Sequence, residues 1–192
     1  MKYFRIRPDM SIAERWTLGN INHVDNWLFI DPPVNFMEPG TYSLDLVNCG
    51  VEVDYSLAGY ASVPVVSARF RDALVGLPEF DEPYMNVVVE PLIIEGQDVR
   101  GEYSVLIVET RVDCVDEGRS DFMKFEEDDP VRPDLSGQYR AFTKLIVDRE
   151  RIGARHIFRI EKFMGALIVS EEVRRRLDEA GVVGAVYDPV TE

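Results

Sequence analysis

VVSARFRDALVG, residues 65–76, and IVSEEVRRRLDEAG, residues 168–181, decide how this chain is read. Each opens on a short apolar, β-branched run, then places a serine (Ser67, Ser170) where a side-chain oxygen can accept from a first-turn amide, and closes on a glycine (Gly76, Gly181) suited to a helix stop. Phe70 and Leu74 in the first stretch, and Val173, Leu177 and Ala180 in the second, recur at helical spacing. The spacing predicts two strand-to-helix units. The cap contributes about 1 kcal/mol and each buried Val, Leu or Phe about 1.5 to 3 kcal/mol, so packing decides these helices more than capping does. Glu171 and Glu172 suit the positive end of the second helix, and Arg174, Arg175 and Arg176 read as its solvated side.

Between the units lie apolar runs of strand length: Val87 to Val89, Leu92 to Ile94, Tyr103 to Val108, Phe142 to Val147 and His156 to Ile160. The turn-rich GQDVRG (Gly96 to Gly101) suits an antiparallel link. Tyr103 to Val108 is apolar on both alternating faces, as a central strand covered on both sides requires. Towards the N-terminus, Lys2 to Arg7 reads as a strand. Ser11 and Glu14 have capping-box spacing, which predicts a short helix ending near Gly19. Trp27 to Ile30 and Tyr42 to Val47 are candidate strands between turn signals that include Pro33 and Pro39. The expectation is an α+β fold, a mainly antiparallel sheet with a few packed helices including the two serine-capped units. At 192 residues it is read as one domain, with 1–60 as an N-terminal portion and 61–192 as the core.

Composition narrows the function. The chain carries 21 Lys and Arg against 35 Asp and Glu, a formal net charge of −14. Such a field repels phosphate backbones and anionic membrane surfaces and draws in basic proteins. No apolar run nears the roughly 18 residues needed to span a membrane, and the N-terminus lacks a signal-peptide pattern, so a cytoplasmic location is expected. Cys49 and Cys114 have neither CxxC spacing nor a companion histidine, and read as buried free thiols. In FEEDDPVRPDLSG, Phe125 to Gly137, four consecutive acids and two prolines predict an exposed loop.

The sequence offers no catalytic constellation. His23 and His156 fall in no catalytic motif, and His156 alternates with Phe158 and Ile160 on a strand face. Phosphate-binding glycine loops and the GxSxG elbow are missing. Asp113, Asp116, Glu117 and Asp121 offer hard oxygen ligands but fail the spacing of a calcium loop, and read as an acidic turn. No catalytic, metal-binding or cofactor-binding residue is assigned, and no cofactor is expected.

The order VVSARFRDAL, YSVLIVETRVDCVDEGRS, then IFRIEKFMGALIVSEEVRRRLDEAGVVGAVYDP resembles a myxobacterial-type immunity protein family of bacterial polymorphic toxin systems, formerly a domain of unknown function. The likeness runs over roughly residues 60 to 190. Its more specific parts are Val112 to Asp116 followed by Ser120, and Ile168 to Gly184. The resemblance implies a non-enzymatic antitoxin that binds a cognate toxin protein, and it transfers no catalytic residue. Charge and position make Glu126, Glu127, Asp128 and Asp129 the candidate partner-binding residues for a basic toxin. Two other readings stand beside it: a small-molecule-binding or regulatory module, whose pocket aromatics such as Trp16, Trp27 and Tyr60 would line, and a hydrolase with carboxylates assembled in space.

Overall fold

The computed structural model describes residues 1–32, 40–80 and 87–191. The first strands are β1 (Tyr3–Pro8), β2 (Thr17–Ile21), β3 (Tyr42–Asn48), β4 (Tyr55–Ala58) and β5 (Val63–Ser67), which runs into α1 (Ala68–Ala73). Then come β6 (Val87–Glu95), β7 (Tyr103–Val108), β8 (Arg111–Val112), β9 (Asp121–Lys124) and β10 (Tyr139–Lys144). The chain continues through α2 (Arg149–Ile152), β11 (Ile157–Ile160), β12 (Phe163–Ser170), α3 (Glu171–Glu179) and β13 (Ala185–Pro189).

The strands form a six-stranded sheet of order β2-β3-β6-β7-β5-β4, a five-stranded sheet of order β13-β1-β12-β11-β8, and the β9-β10 hairpin. Pairing is antiparallel except between β3 and β6 and between β8 and β11. The α+β reading, with mainly antiparallel sheets and two serine-capped helices, is what the structure has. All six residues of β7 are buried. Leu106 and Val108 face an inner core shared with Phe4, Leu167 and Val169 of the other sheet, while Val105 and Ile107 face an outer core. Both long helices close the inner core at one end, α1 through Phe70 and Leu74, α3 through Val173 and Leu177.

The two units are a structural repeat. Tyr55 faces Val66 as Ile157 faces Val169, and Tyr103 faces Ser67 as Tyr3 faces Ser170. The order β4-β5-β7-β6 is thereby matched by β11-β12-β1-β13, with the N-terminal strand in the place of β7. Even the clasps correspond. Ser67 N–H donates to the Asp54 carbonyl (2.9 Å) and its hydroxyl to Asp54 Oδ1 (2.6 Å), while Ser170 N–H donates to the His156 carbonyl (2.8 Å) and its hydroxyl meets His156 Nδ1 at 2.9 Å. Each hydroxyl also caps its helix, at 3.3 Å from the Phe70 and Val173 amides.

The chain after each helix then reaches across to the other unit. Glu79 Oε1 accepts from the His156 amide, and Val183 exchanges two bonds of 2.8 Å with Asp54, its carbonyl taking the Asp54 amide and its amide reaching Asp54 Oδ2. At the entry to β13, Gly184 has φ +102°, and a Cβ there would lie 2.7 Å from Val53 Cβ and 2.9 Å from the Tyr55 carbonyl oxygen. We expect Gly184→Ala to cost about 1 to 2 kcal/mol through overpacking and backbone strain, read as a lower urea midpoint with an unchanged slope.

Four local expectations are corrected. The helix expected from Ser11 to Gly19 is a set of turns leading into β2. Ser11 donates its amide and hydroxyl to Asp9 Oδ1 (2.9 and 2.6 Å), so Asp9 organises the turn, and Trp16 is drawn into the outer core with its Nε1 on Ser56 Oγ (2.9 Å). Trp27 to Ile30 is not a strand: Asp25 caps a 3-10 turn over Asn26–Phe29, pinned by buried Asn26 accepting from the Ile21 amide at 2.8 Å. Ala180 is exposed beyond the end of α3, and Cys49 is exposed while Cys114 is buried. The turn signals at Pro33 and Pro39 lie outside the described residues.

Candidate functional site

β1 and β12 stay paired only from Tyr3 to Arg5, opposite Ser170 to Ile168. Beyond that they part. β1 continues to Pro8 against β13, and β12 runs back to Phe163 against β11. A cleft of about 630 Å³ occupies the wedge, with Tyr55 and Leu57 of the six-stranded sheet on one side and Phe125 and Tyr139 of the β9-β10 hairpin on the other. This end of β12 is opposite the one that enters α3, so the helices close one end of the fold and the cleft opens towards the other.

The charge inside runs against that of the chain. Five cations, Arg5, Arg7, Arg132, Arg159 and Lys162, line the cleft against one carboxylate, Asp31. Arg7 is paired with Asp188, Arg132 with Asp134, and Asp31 with Arg111. Among the described residues Arg5, Arg159 and Lys162 form no ion pair. Arg5 lies over the Phe163 ring at 5.6 Å, and Lys162 is exposed in the tight turn between β11 and β12.

Arg159 is 2% exposed. Its Nη1 donates to the Met164 carbonyl at 2.6 Å, while Nε and Nη2 have no hydrogen-bond partner among the described residues. Burial pulls the guanidinium down to about 10, with Tyr55 opposing the shift and Arg111 adding to it. It is therefore still charged at neutral pH. Tyr55, fully buried, is pushed up by burial and partly drawn back by Arg159 and Arg5. Burial also lowers Arg5, with Arg7 adding to the shift and Asp188 and Tyr55 opposing it.

Trp27 and Tyr60 also line the cleft. Their rings pack at 5.8 Å between centroids and both are more than half exposed, which puts them at its mouth. Of the aromatics expected around a pocket, then, Trp27 and Tyr60 are there, and Trp16 is instead a core residue.

The acidic loop extends from the end of the hairpin that walls the cleft. Phe125 and Gln138 close the neck of the loop, the Phe125 amide donating to the Gln138 carbonyl at 3.0 Å. Glu126, Glu127 and Asp128 are exposed, while Asp129 is partly exposed and turned back onto the backbone of its own loop. Its Oδ1 accepts from the Val131 and Arg132 amides at 2.9 and 2.8 Å, which holds its carboxyl below the usual range. Asp129 shapes the loop.

The other polar clusters are occupied. Asp116 pairs with Arg119 at 2.7 Å, and Glu117 accepts from Lys124 (2.6 Å) and the Tyr139 hydroxyl (2.7 Å). Among the described residues no group of three His, Cys, Asp or Glu side chains is placed to hold a metal ion. Arg175 and Arg176 grip Glu172, each at 2.8 Å, and hold its carboxyl down to about 2. Arg174 pairs with Asp178 and stacks over Phe4 at 4.8 Å. His156, clasped to Ser170, is structural. The residue that the sequence reading passed over is Arg159, whose signal was a charge inside the otherwise apolar run Ile157 to Ile160.

The fold and site describe a two-sheet α+β protein with a cationic, aromatic-rimmed cleft and an acidic loop beside it. The family model of the immunity protein family Imm11 matches residues 39–192, and the chain belongs to that family. No curated protein matches the chain. The match begins after β1 and β2, although β1 completes the second repeat and supplies Arg5.

Proposed function

We propose that this protein neutralises a cognate toxin of a bacterial polymorphic toxin system by direct protein-protein binding in the cytoplasm, without catalysis or cofactor. Membership of the Imm11 immunity family carries the reading. The net charge of −14 supports a basic partner, because a field of that sign speeds encounter with cationic surfaces. Glu126, Glu127 and Asp128, exposed at the tip of the hairpin, are the acids we assign to that encounter, while Asp129 holds the loop in shape.

The test is co-purification with the product of the neighbouring gene, and growth of cells expressing that product with and without this protein. A complex together with rescue is the expected result; rescue without a complex would exclude direct binding. In the E126Q/E127Q/D128N variant, association at low salt should slow by about tenfold. The difference should vanish near 1 M salt, where the screening length is about 3 Å. An unchanged association rate at low salt removes the loop from the interface.

A further inference from the structure

We propose that the cleft between β1 and β12 is a binding site for a small organic anion, a phosphate or carboxylate head on a flat apolar body, with Arg159 as the anchor for the head. A guanidinium presents Nε–H and one terminal N–H along the same edge, a two-pronged fork that matches two oxygens of a carboxylate or phosphate. In Arg159 the other terminal nitrogen is held by the Met164 carbonyl, and Nε and Nη2 are the donors without a partner. The side chain is thus fixed by one bond and keeps its pair of donors for something else.

Charge selects the sign of the ligand. In a chain where acids outnumber bases 35 to 21, the cleft is lined five to one the other way, and Arg5 and Lys162 join Arg159 as cations without an ion pair among the described residues. No carboxylate is among the groups whose charge bears on Arg159. A structural arginine this deeply buried normally has one. An anion reaching the fork is held where water is excluded and charge-assisted hydrogen bonds are strongest.

Shape selects the body. A volume of about 630 Å³ suits a ligand of nucleotide size rather than a bare ion. Leu57, Phe163 and Met164 give apolar walls, and the Trp27-Tyr60 pair offers an exposed ring face at the mouth. The inference does not depend on the toxin reading: the loop's acids Glu126 to Asp129 take no part in it, although Phe125, Arg132 and Leu135 of the same loop line the cleft.

The experiment is a titration of the ¹⁵N-labelled full chain with AMP, benzoate and inorganic phosphate, following the Arg159 Nε–H resonance. AMP or benzoate should move it saturably at about 1 mM or below, and phosphate, which lacks the body, more weakly. R159M should weaken AMP and benzoate at least about tenfold, as loss of a charge-assisted fork implies. W27A, altering an exposed side chain, should weaken AMP and benzoate while leaving phosphate unchanged.

No movement with any of the three probes at about 10 mM, or undiminished binding by R159M, overturns the site. If the probes leave Arg159 unmoved while R159M loses affinity for the toxin, the anion is a side chain of the toxin and the small-ligand assignment is wrong. If the probes bind but no toxin complex forms, the cleft stands and the toxin reading falls.

Discussion

Asp54→Ala should lower the unfolding free energy by about 2 kcal/mol, because it strands the buried Ser67 hydroxyl and deprives the part-buried Val183 amide of its acceptor. Its carboxylate takes the Ser67 hydroxyl at 2.6 Å and the Val183 amide at 2.8 Å, so one side chain ties the first unit's cap to the segment that follows the second unit's helix. Arg69, also bonded to it at 3.2 Å, is more than half exposed, and its pairing adds little. Asn in place of Asp54 keeps one acceptor oxygen and should recover about half of the loss. Urea denaturation of the two variants checks this. A loss below about 1 kcal/mol in the alanine variant would mean that the units hold together by core packing alone.

Arg159→Met should do the opposite and raise the unfolding free energy by about 2 kcal/mol at neutral pH. A guanidinium that burial has brought from 12.5 to about 10 is disfavoured in the folded state while charged, by about 3 kcal/mol at 1.36 kcal/mol per pH unit. Methionine fills similar volume and removes that term, but forfeits the bond to the Met164 carbonyl, worth about 1 kcal/mol. The sign follows from linkage. A base whose folded pKa is lowered penalises folding below that pKa, and the penalty fades as pH rises through about 10. The stabilisation by R159M should therefore be full at pH 7 and shrink in alkaline buffer. Destabilisation instead would make Arg159 a structural residue. A gain in stability joined to a loss of anion binding is the pattern of a side chain kept for binding.

How much of this was legible in the chain varies from element to element. Ser67 and Ser170 were readable because capping is local: the hydroxyl and the amide it accepts lie three residues apart. β7 was readable because a strand covered on both faces is apolar on both, and Tyr103 to Val108 is so except for the small, buried Ser104. Ser11 and Trp27 misled because other side chains close by organised the backbone differently: Asp9, two residues before Ser11, takes its amide and hydroxyl, and Asp25, two residues before Trp27, caps a 3-10 turn that buried Asn26 pins to Ile21. The acidic loop was visible as composition, but the loop-shaping role of Asp129 depends on which way its side chain turns.

By itself the sequence determined the capped helices, the central strand, the net charge and the resemblance to an immunity family, because each is written in neighbouring residues or in sums over the chain. The tertiary structure alone decided that β1 stands in the second repeat where β7 stands in the first, and that it then parts from β12 to open a cleft. It also decided that a chain of net charge −14 lines that cleft with Arg5, Arg159 and Lys162. Those facts depend on strands more than 150 residues apart in sequence, and only the pairing of the folded sheet brings them together.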